Sequence, residues 1–180
     1  LGLVVTREIV LAGNYRNLIM PVPIAVLLIA NILTHLEALG VQVPSGLGRR
    51  LGITAVVFLM SVIAGRIIPA FTRNWLMMRK ADKLPAPAGR FDAVAVATLA
   101  LGLLGWVFFP KSVVSGAILL AAAALNGVRL LRWRGFATTA EPLLAILHLA
   151  YFWIVVGAAL LGASILGDHV PEPAAIHALT

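Results

Sequence analysis

The stretch Gly65-Arg66-Ile67-Ile68-Pro69-Ala70-Phe71-Thr72-Arg73-Asn74 decides how this chain is read. Its arginine stands about fifteen residues into an apolar segment that opens at Leu51. At ~1.5 Å per residue, Arg66 lies roughly 22 Å into a bilayer core about 30 Å thick. A charge at that depth costs about 2.5–3.5 kcal/mol on insertion scales. Some partner must offset the cost, so Arg66 marks a functional interior. The segment then leaves the membrane through Arg73, Asn74 and Trp75, which puts a charge and an aromatic ring at headgroup level.

The rest of the chain agrees with that reading. Hydrophobic residues make up 61% of the sequence and charged residues 12%, and mean hydropathy is +1.01. A soluble domain carries about twice that charged fraction. The net charge of +7 does not point to nucleic acid, because the basic residues lie in short segments between apolar runs, where they set topology and meet anionic lipid. The absence of cysteine excludes disulfides, thiolate-ligated haem, cysteine-bound iron–sulfur clusters and blue-copper sites. No phosphate-binding loop, dinucleotide fingerprint, zincin helix or nucleophile elbow is present, so hydrolase and nucleotidase chemistry has no support.

Apolar segments run over 18–38, 51–72, 92–109, 113–131 and 143–166, each near the ~20 residues that a spanning helix needs. Residues 174–179 read as the first turns of another helix. The expected fold is all-α: a polytopic transmembrane helical bundle of five spans plus the start of a sixth, forming a single domain over 1–180. Pro110-Lys111-Ser112 makes a tight turn between spans three and four. The one extended loop runs from Lys80 to Arg90. The chain opens without Met and stops inside a helical pattern, which suggests a portion of a longer protein.

Positive charge sets the orientation. Arg7, Arg16, Arg73, Arg79, Lys80, Lys83, Arg90, Arg129, Arg132 and Arg134 fall on one side, and Arg49, Arg50 and Lys111 on the other. By the positive-inside rule, loops 79–91 and 132–141 are cytoplasmic. In that topology the polar residues inside the spans divide into an outer set (Asn31, His35, His177) and an inner set (Arg66, Asn126, His148). Histidine is the protein ligand that haem iron and copper take when thiolates are absent. His35, His148 and His177 are therefore candidate metal ligands, with His148 the deepest. Each also has a plainer reading as an interfacial or hydrogen-bonded side chain. Arg66 could equally bond to backbone carbonyls that Pro69 leaves without a donor. Arg73, Arg129 and Arg132 read as topology and headgroup contacts, and His169 as a solvated loop residue.

Several strings taken together resemble the NnrS family of bacterial inner-membrane proteins. They are Asn14-Tyr15-Arg16-Asn17-Leu18, Asn31 with His35, and Gly65-Arg66 through Pro69 to Phe71-Thr72-Arg73-Asn74. Arg132-Trp133-Arg134-Gly135 and Pro142-Leu143-Leu144 follow, then Leu147-His148-Leu149-Ala150-Tyr151 and His177-Ala178-Leu179-Thr180. They stand in the family's order across nearly the whole chain, and spans three and four match by hydrophobicity alone. The resemblance implies a haem-containing membrane protein of the nitric oxide response, with copper as a second metal it allows, and a full length of roughly twelve spans. It implies nitric oxide or another small diatomic as the molecule met at the haem, and His148, Arg66 and Arg73 as cofactor-binding residues. Guanidinium groups suit haem propionates. The electron donor is not readable. The rivals are a transporter or permease subunit binding an anionic solute at Arg66, and a structural membrane protein with no ligand.

Overall fold

The computed structural model describes residues 2–13, 21–167 and 169–180. The Asn14–Leu18 string, the basic residue Arg16, the first residues of span one and Asp168 lie outside these. The described residues are helical: α1 (Gly2–Leu11), α2 (Pro21–Ala38), α3 (Leu47–Met78), α4 (Arg90–Phe108), α5 (Val113–Arg132), a 3-10 turn (Gly135–Thr138), α6 (Pro142–Leu166) and α7 (Glu172–Leu179). Five of them, α2 to α6, are long and apolar enough to cross a membrane. α1 falls in a segment read from sequence only as the approach to span one.

The spans expected at 92–109, 113–131 and 143–166 match α4, α5 and α6 to within two residues at each end. α3 does not stop where its apolar run stops. It extends from Leu47 to Met78, about 48 Å at 1.5 Å per residue, well beyond a ~30 Å core. Hydropathy reports the part of a helix that meets hydrocarbon, whereas the helix itself continues while its backbone bonds hold. Arg49 and Arg50 thus belong to the first turns of α3 rather than to a loop. Pro69 sits inside α3 without ending it.

The chain divides into two compact units, 1–59 and 60–180, with the boundary inside α3. In the first unit α2 and the start of α3 meet at Gly48, where an added Cβ would collide with Thr34 and the Ala30 carbonyl. The connection between them is tied to α2. Both carboxylate oxygens of Glu37 accept from the Gly46 N–H, at 2.9 and 3.1 Å. Arg50 Nη1 donates to the Ser45 carbonyl at 3.0 Å.

The second unit packs α4, α5 and α6 in sequence, with α7 against α6. Small residues allow the close approaches, as membrane helices need when lipid is as apolar as their own surfaces. α4 and α5 form an antiparallel hairpin in which Gly102 faces Leu119 and Gly105 faces Ser115. α5 and α6 cross at a pair of glycines: a Cβ on Gly116 would lie 3.1 Å from the Gly162 carbonyl, and one on Gly162 would lie 2.9 Å from the Gly116 carbonyl. Leu179 of α7 fills the notch at Gly157. The part of α3 in this unit buries Ser61, Gly65, Ile68, Thr72 and Leu76, a spacing of three and four residues that defines one helix face.

Candidate functional site

A charged network lies inside the second unit. Arg129, near the end of α5, is 4% exposed. Its Nε donates to Asp92 Oδ1 at 3.2 Å. Its Nη1 donates to Tyr151 Oη at 2.8 Å, to Ser61 Oγ at 3.3 Å and to the Ser61 carbonyl at 3.4 Å. Tyr151 in turn donates to Asn126 Oδ1 at 2.6 Å. Asn126 Nδ2 donates to the carbonyls of Ala95 and Ala122 at 3.0 and 2.9 Å. The guanidinium also lies over Trp133, 5.1 Å from the ring centroid, and Trp133 packs on Tyr151 with centroids 4.6 Å apart. Four helices are thereby joined through one buried cation.

Arg129 fits because α3 presents a glycine to it. A Cβ on Gly65 would lie 2.7 Å from Arg129 Cζ and nearer still to Nη2. Asp92 has two duties, since its Oδ2 also accepts the Gly89 N–H at the start of α4, at 3.0 Å. Arg132 stands 3.8 Å from the same oxygen. The expected role of Arg129 as a headgroup contact is therefore corrected. Its position at the end of an apolar run suggested the interface, but its side chain turns inward to a carboxylate that compensates the charge.

His148 lies one turn before Tyr151 on α6 and is 7% exposed. Its Nδ1 is 2.8 Å from the Leu144 carbonyl and its Nε2 is 3.4 Å from Thr72 Oγ1. A carbonyl can only accept, so Nδ1 carries a proton; in the neutral ring Nε2 then has the lone pair, to which the Thr72 hydroxyl can donate. The room beside the ring comes from Gly135, where an added Cβ would stand 2.7 Å from His148 Cδ2.

Three of the strings singled out in the sequence thus converge: Gly65 and Thr72 come from Gly65–Asn74, Trp133 and Gly135 from Arg132–Gly135, and His148 and Tyr151 from Leu147–Tyr151. Two arginines of the Gly65–Asn74 string are placed differently. Arg66 and Arg73 are exposed, each about 100° around α3 from the buried residue that precedes it. They stand seven positions apart, about 10 Å along the helix and nearly in line. Among the described residues neither has a hydrogen-bond or ion-pair partner. The inner set is accordingly divided: Asn126 and His148 turn into the unit, and Arg66 turns out of it.

The remaining candidates are placed separately. His35 and Asn31 are exposed on α2, in the first unit, and His177 and His169 are exposed in the second. His177 belongs to α7, which meets α6 near Gly157. That contact is nine positions beyond His148, about 14 Å along α6, so these two histidines stand at different levels. Among the described residues no group of three His, Cys, Asp or Glu side chains gathers around a point. Sequence reading passed over Asp92, Tyr151 and Ser61. A usable signal existed for Asp92: it and Arg129 are equally far along the chain from the Pro110–Lys111 turn, which sets them opposite one another in a helical hairpin.

The profile of the NnrS protein family matches residues 1–180. Nothing matches among curated proteins or among solved structures.

Proposed function

The chain belongs to the NnrS family, and from that membership we propose that it forms part of a haem-binding protein of the bacterial inner membrane that acts in the response to nitric oxide. The observation that carries the proposal is the pair Arg66 and Arg73, unpartnered cations on the exposed flank of a spanning helix. Arg66 lies in hydrocarbon by its place in α3. Helix side chains lean toward the helix N-terminus, so Arg66 leans away from the nearer interface beside Arg73. It therefore needs an anion within the membrane. Haem propionates meet that need, and guanidinium groups hold carboxylates bidentately.

The donor chemistry fits haem. His148 has Nδ1–H fixed on a backbone carbonyl, the usual second contact of a metal-bound histidine. Its Nε2 keeps a lone pair whose present partner, Thr72, is a long hydrogen bond away. His148 would hold the iron of a bound haem through Nε2, in place of the Thr72 hydroxyl. His35 and His177 are the other candidate ligands, each with an exposed side chain. Copper does not fit the described residues by themselves, since they gather no three-ligand group. Haem, when bound, supplies a site for a small diatomic and a path for an electron. The chain's own part is to hold its anionic edge with Arg66 and Arg73, and to keep the tautomer of His148 through the Leu144 carbonyl.

The test is the visible spectrum of the purified protein and its variants. Wild type should show a Soret band. Arg66→Lys keeps the charge but loses the planar fork, and should weaken haem retention roughly 10-fold or more, the worth of a charge-assisted hydrogen bond. Arg66→Leu should lose haem while the apoprotein keeps its thermal stability. His148→Ala should lower the haem-to-protein ratio with insertion intact. Unchanged haem content in both Arg66 variants would remove that residue from the site. A colourless wild-type protein that binds an anionic solute would favour the transporter reading, which an unpaired Arg66 serves equally well.

Orientation follows from the same reading. Loops 79–91 and 132–141 are proposed to be cytoplasmic, and the Ala86 N–H donates to the Arg132 carbonyl at 3.2 Å, which joins them. A cysteine at Ala88, an exposed position, should resist an impermeant thiol reagent in intact cells and react after permeabilisation. Labelling in intact cells would invert the topology.

A further inference from the structure

Arg134 stands just past α5 and opens the 3-10 turn. We propose that its guanidinium binds an oxyanion, the carboxylate of a haem or the phosphate of a lipid, beside His148. An unmet donor points to it. Arg134 Nε is buried without a hydrogen-bond partner. Among the described residues its guanidinium makes no hydrogen bond and no ion pair, while Asp92 serves Arg129 and Arg132. A buried N–H without an acceptor is costly, and the planar fork of a guanidinium suits two oxygens of one anion.

Backbone and position agree with this. Arg134 is left-handed, at φ 60° and ψ 40°, where glycine is at ease and a side chain is strained. Lys80 holds a like conformation just past the end of α3, at φ 54°, but Lys80 is exposed. Water and the helix dipole satisfy that lysine. They do not satisfy Arg134, whose Nε is closed to water. The next residue, Gly135, rests on His148: an added Cβ would stand 2.7 Å from Cδ2, the ring carbon bonded to Nε2. The strained arginine therefore flanks the edge of the ring that would meet a metal. α5 has 20 residues, about 30 Å, the thickness of a bilayer core, so Arg134 also lies at the level of lipid phosphates. The haem form of the proposal rests on the reading of His148 given above; the lipid form does not.

The experiment compares the whole protein with its Arg134→Gly and Arg134→Lys variants, in two arms. The first titrates cofactor-free protein with haem and with haem dimethyl ester, whose carboxylates are blocked. Wild type should favour haem. Arg134→Gly should lose roughly tenfold in haem affinity, the worth of a charge-assisted hydrogen bond, with affinity for the ester unchanged. The second arm measures, by native mass spectrometry, how much phosphatidylglycerol stays bound. If phosphate is the anion, Arg134→Gly should lower that retention and leave haem affinity unchanged. Arg134→Lys keeps the charge without the fork and should recover at most part of either loss. Glycine suits the backbone, so the ligand-free Arg134→Gly protein should melt no lower than wild type. Haem affinity and lipid retention both unchanged would overturn the proposal. So would an equal loss for haem and its ester with lipid retention unchanged, or a lower melting temperature, either of which would make Arg134 a packing residue. A wild type that binds neither haem nor ester would refute the haem reading alone, and the lipid arm would then decide Arg134.

Discussion

Gly65→Ala should destabilise the protein by about 1–3 kcal/mol, the cost of an overpacked contact and of buried hydrogen bonds lost. Two effects compete at this position. Alanine favours a helix over glycine by about 1 kcal/mol, which by itself would stabilise α3. The methyl, however, would stand 2.7 Å from Arg129 Cζ, in the volume the guanidinium fills. Arg129 would have to withdraw from Ser61 and Tyr151, and the second effect is the larger. Gly127→Ala provides the contrast. That glycine also lies in a helix, but its nearest neighbour is Val155 at an ordinary 3.6 Å, so the substitution should be neutral or stabilising by up to about 1 kcal/mol. Unfolding of both variants in mixed micelles measures the difference. Equal stability of Gly65→Ala and wild type would mean that Arg129 does not lie against α3.

Arg129→Leu should cost ~3–5 kcal/mol, because it leaves Asp92, Tyr151 and Ser61 without their shared donor. Arg129→Lys should rescue little. An ammonium has no planar fork with which to reach Asp92 on α4 while also bonding Ser61 and Tyr151. Asp92→Asn should cost less, about 1–3 kcal/mol, since the Asp92 side chain is 13% exposed and Arg132 stands near it as well. Combining Arg129→Leu with Asp92→Asn should cost less than the two losses added, because the second change removes a charge that the first leaves uncompensated. Strict additivity would show that the pair does not interact as described.

The relation between Asp92 and Arg129 shows how much of the site could be read in advance. The tight turn at Pro110–Lys111 makes α4 and α5 a hairpin, and residues equally distant from that turn face each other. Asn126 with the Ala95 carbonyl and Leu119 with Gly102 obey the same register. Both the buried pair and the Asn126 anchor could therefore be found by counting. The third side of the cluster could not. That Gly65 of α3 covers Arg129, and that Gly135 makes room for His148, depends on contacts between residues more than sixty and about a dozen positions apart, and no local pattern encodes either.

Sequence alone determined that the chain spans membranes, where its spans lie, that charge falls mainly on one side of them, and which family it resembles. Each of these rests on composition, run length or a short string, all of them properties of residues taken along the chain. Only the tertiary structure decided which way each polar side chain turns. In a water-soluble helix, amphipathicity would have shown the inward face. A membrane helix loses that signal, because lipid is as apolar as the protein interior and both faces of α3 are hydrophobic. The rotation of α3 is set instead by Gly65 and Thr72, where Arg129 and His148 come against it. That packing buries Arg129 with its carboxylate and leaves Arg66 and Arg73 exposed on the flank of α3.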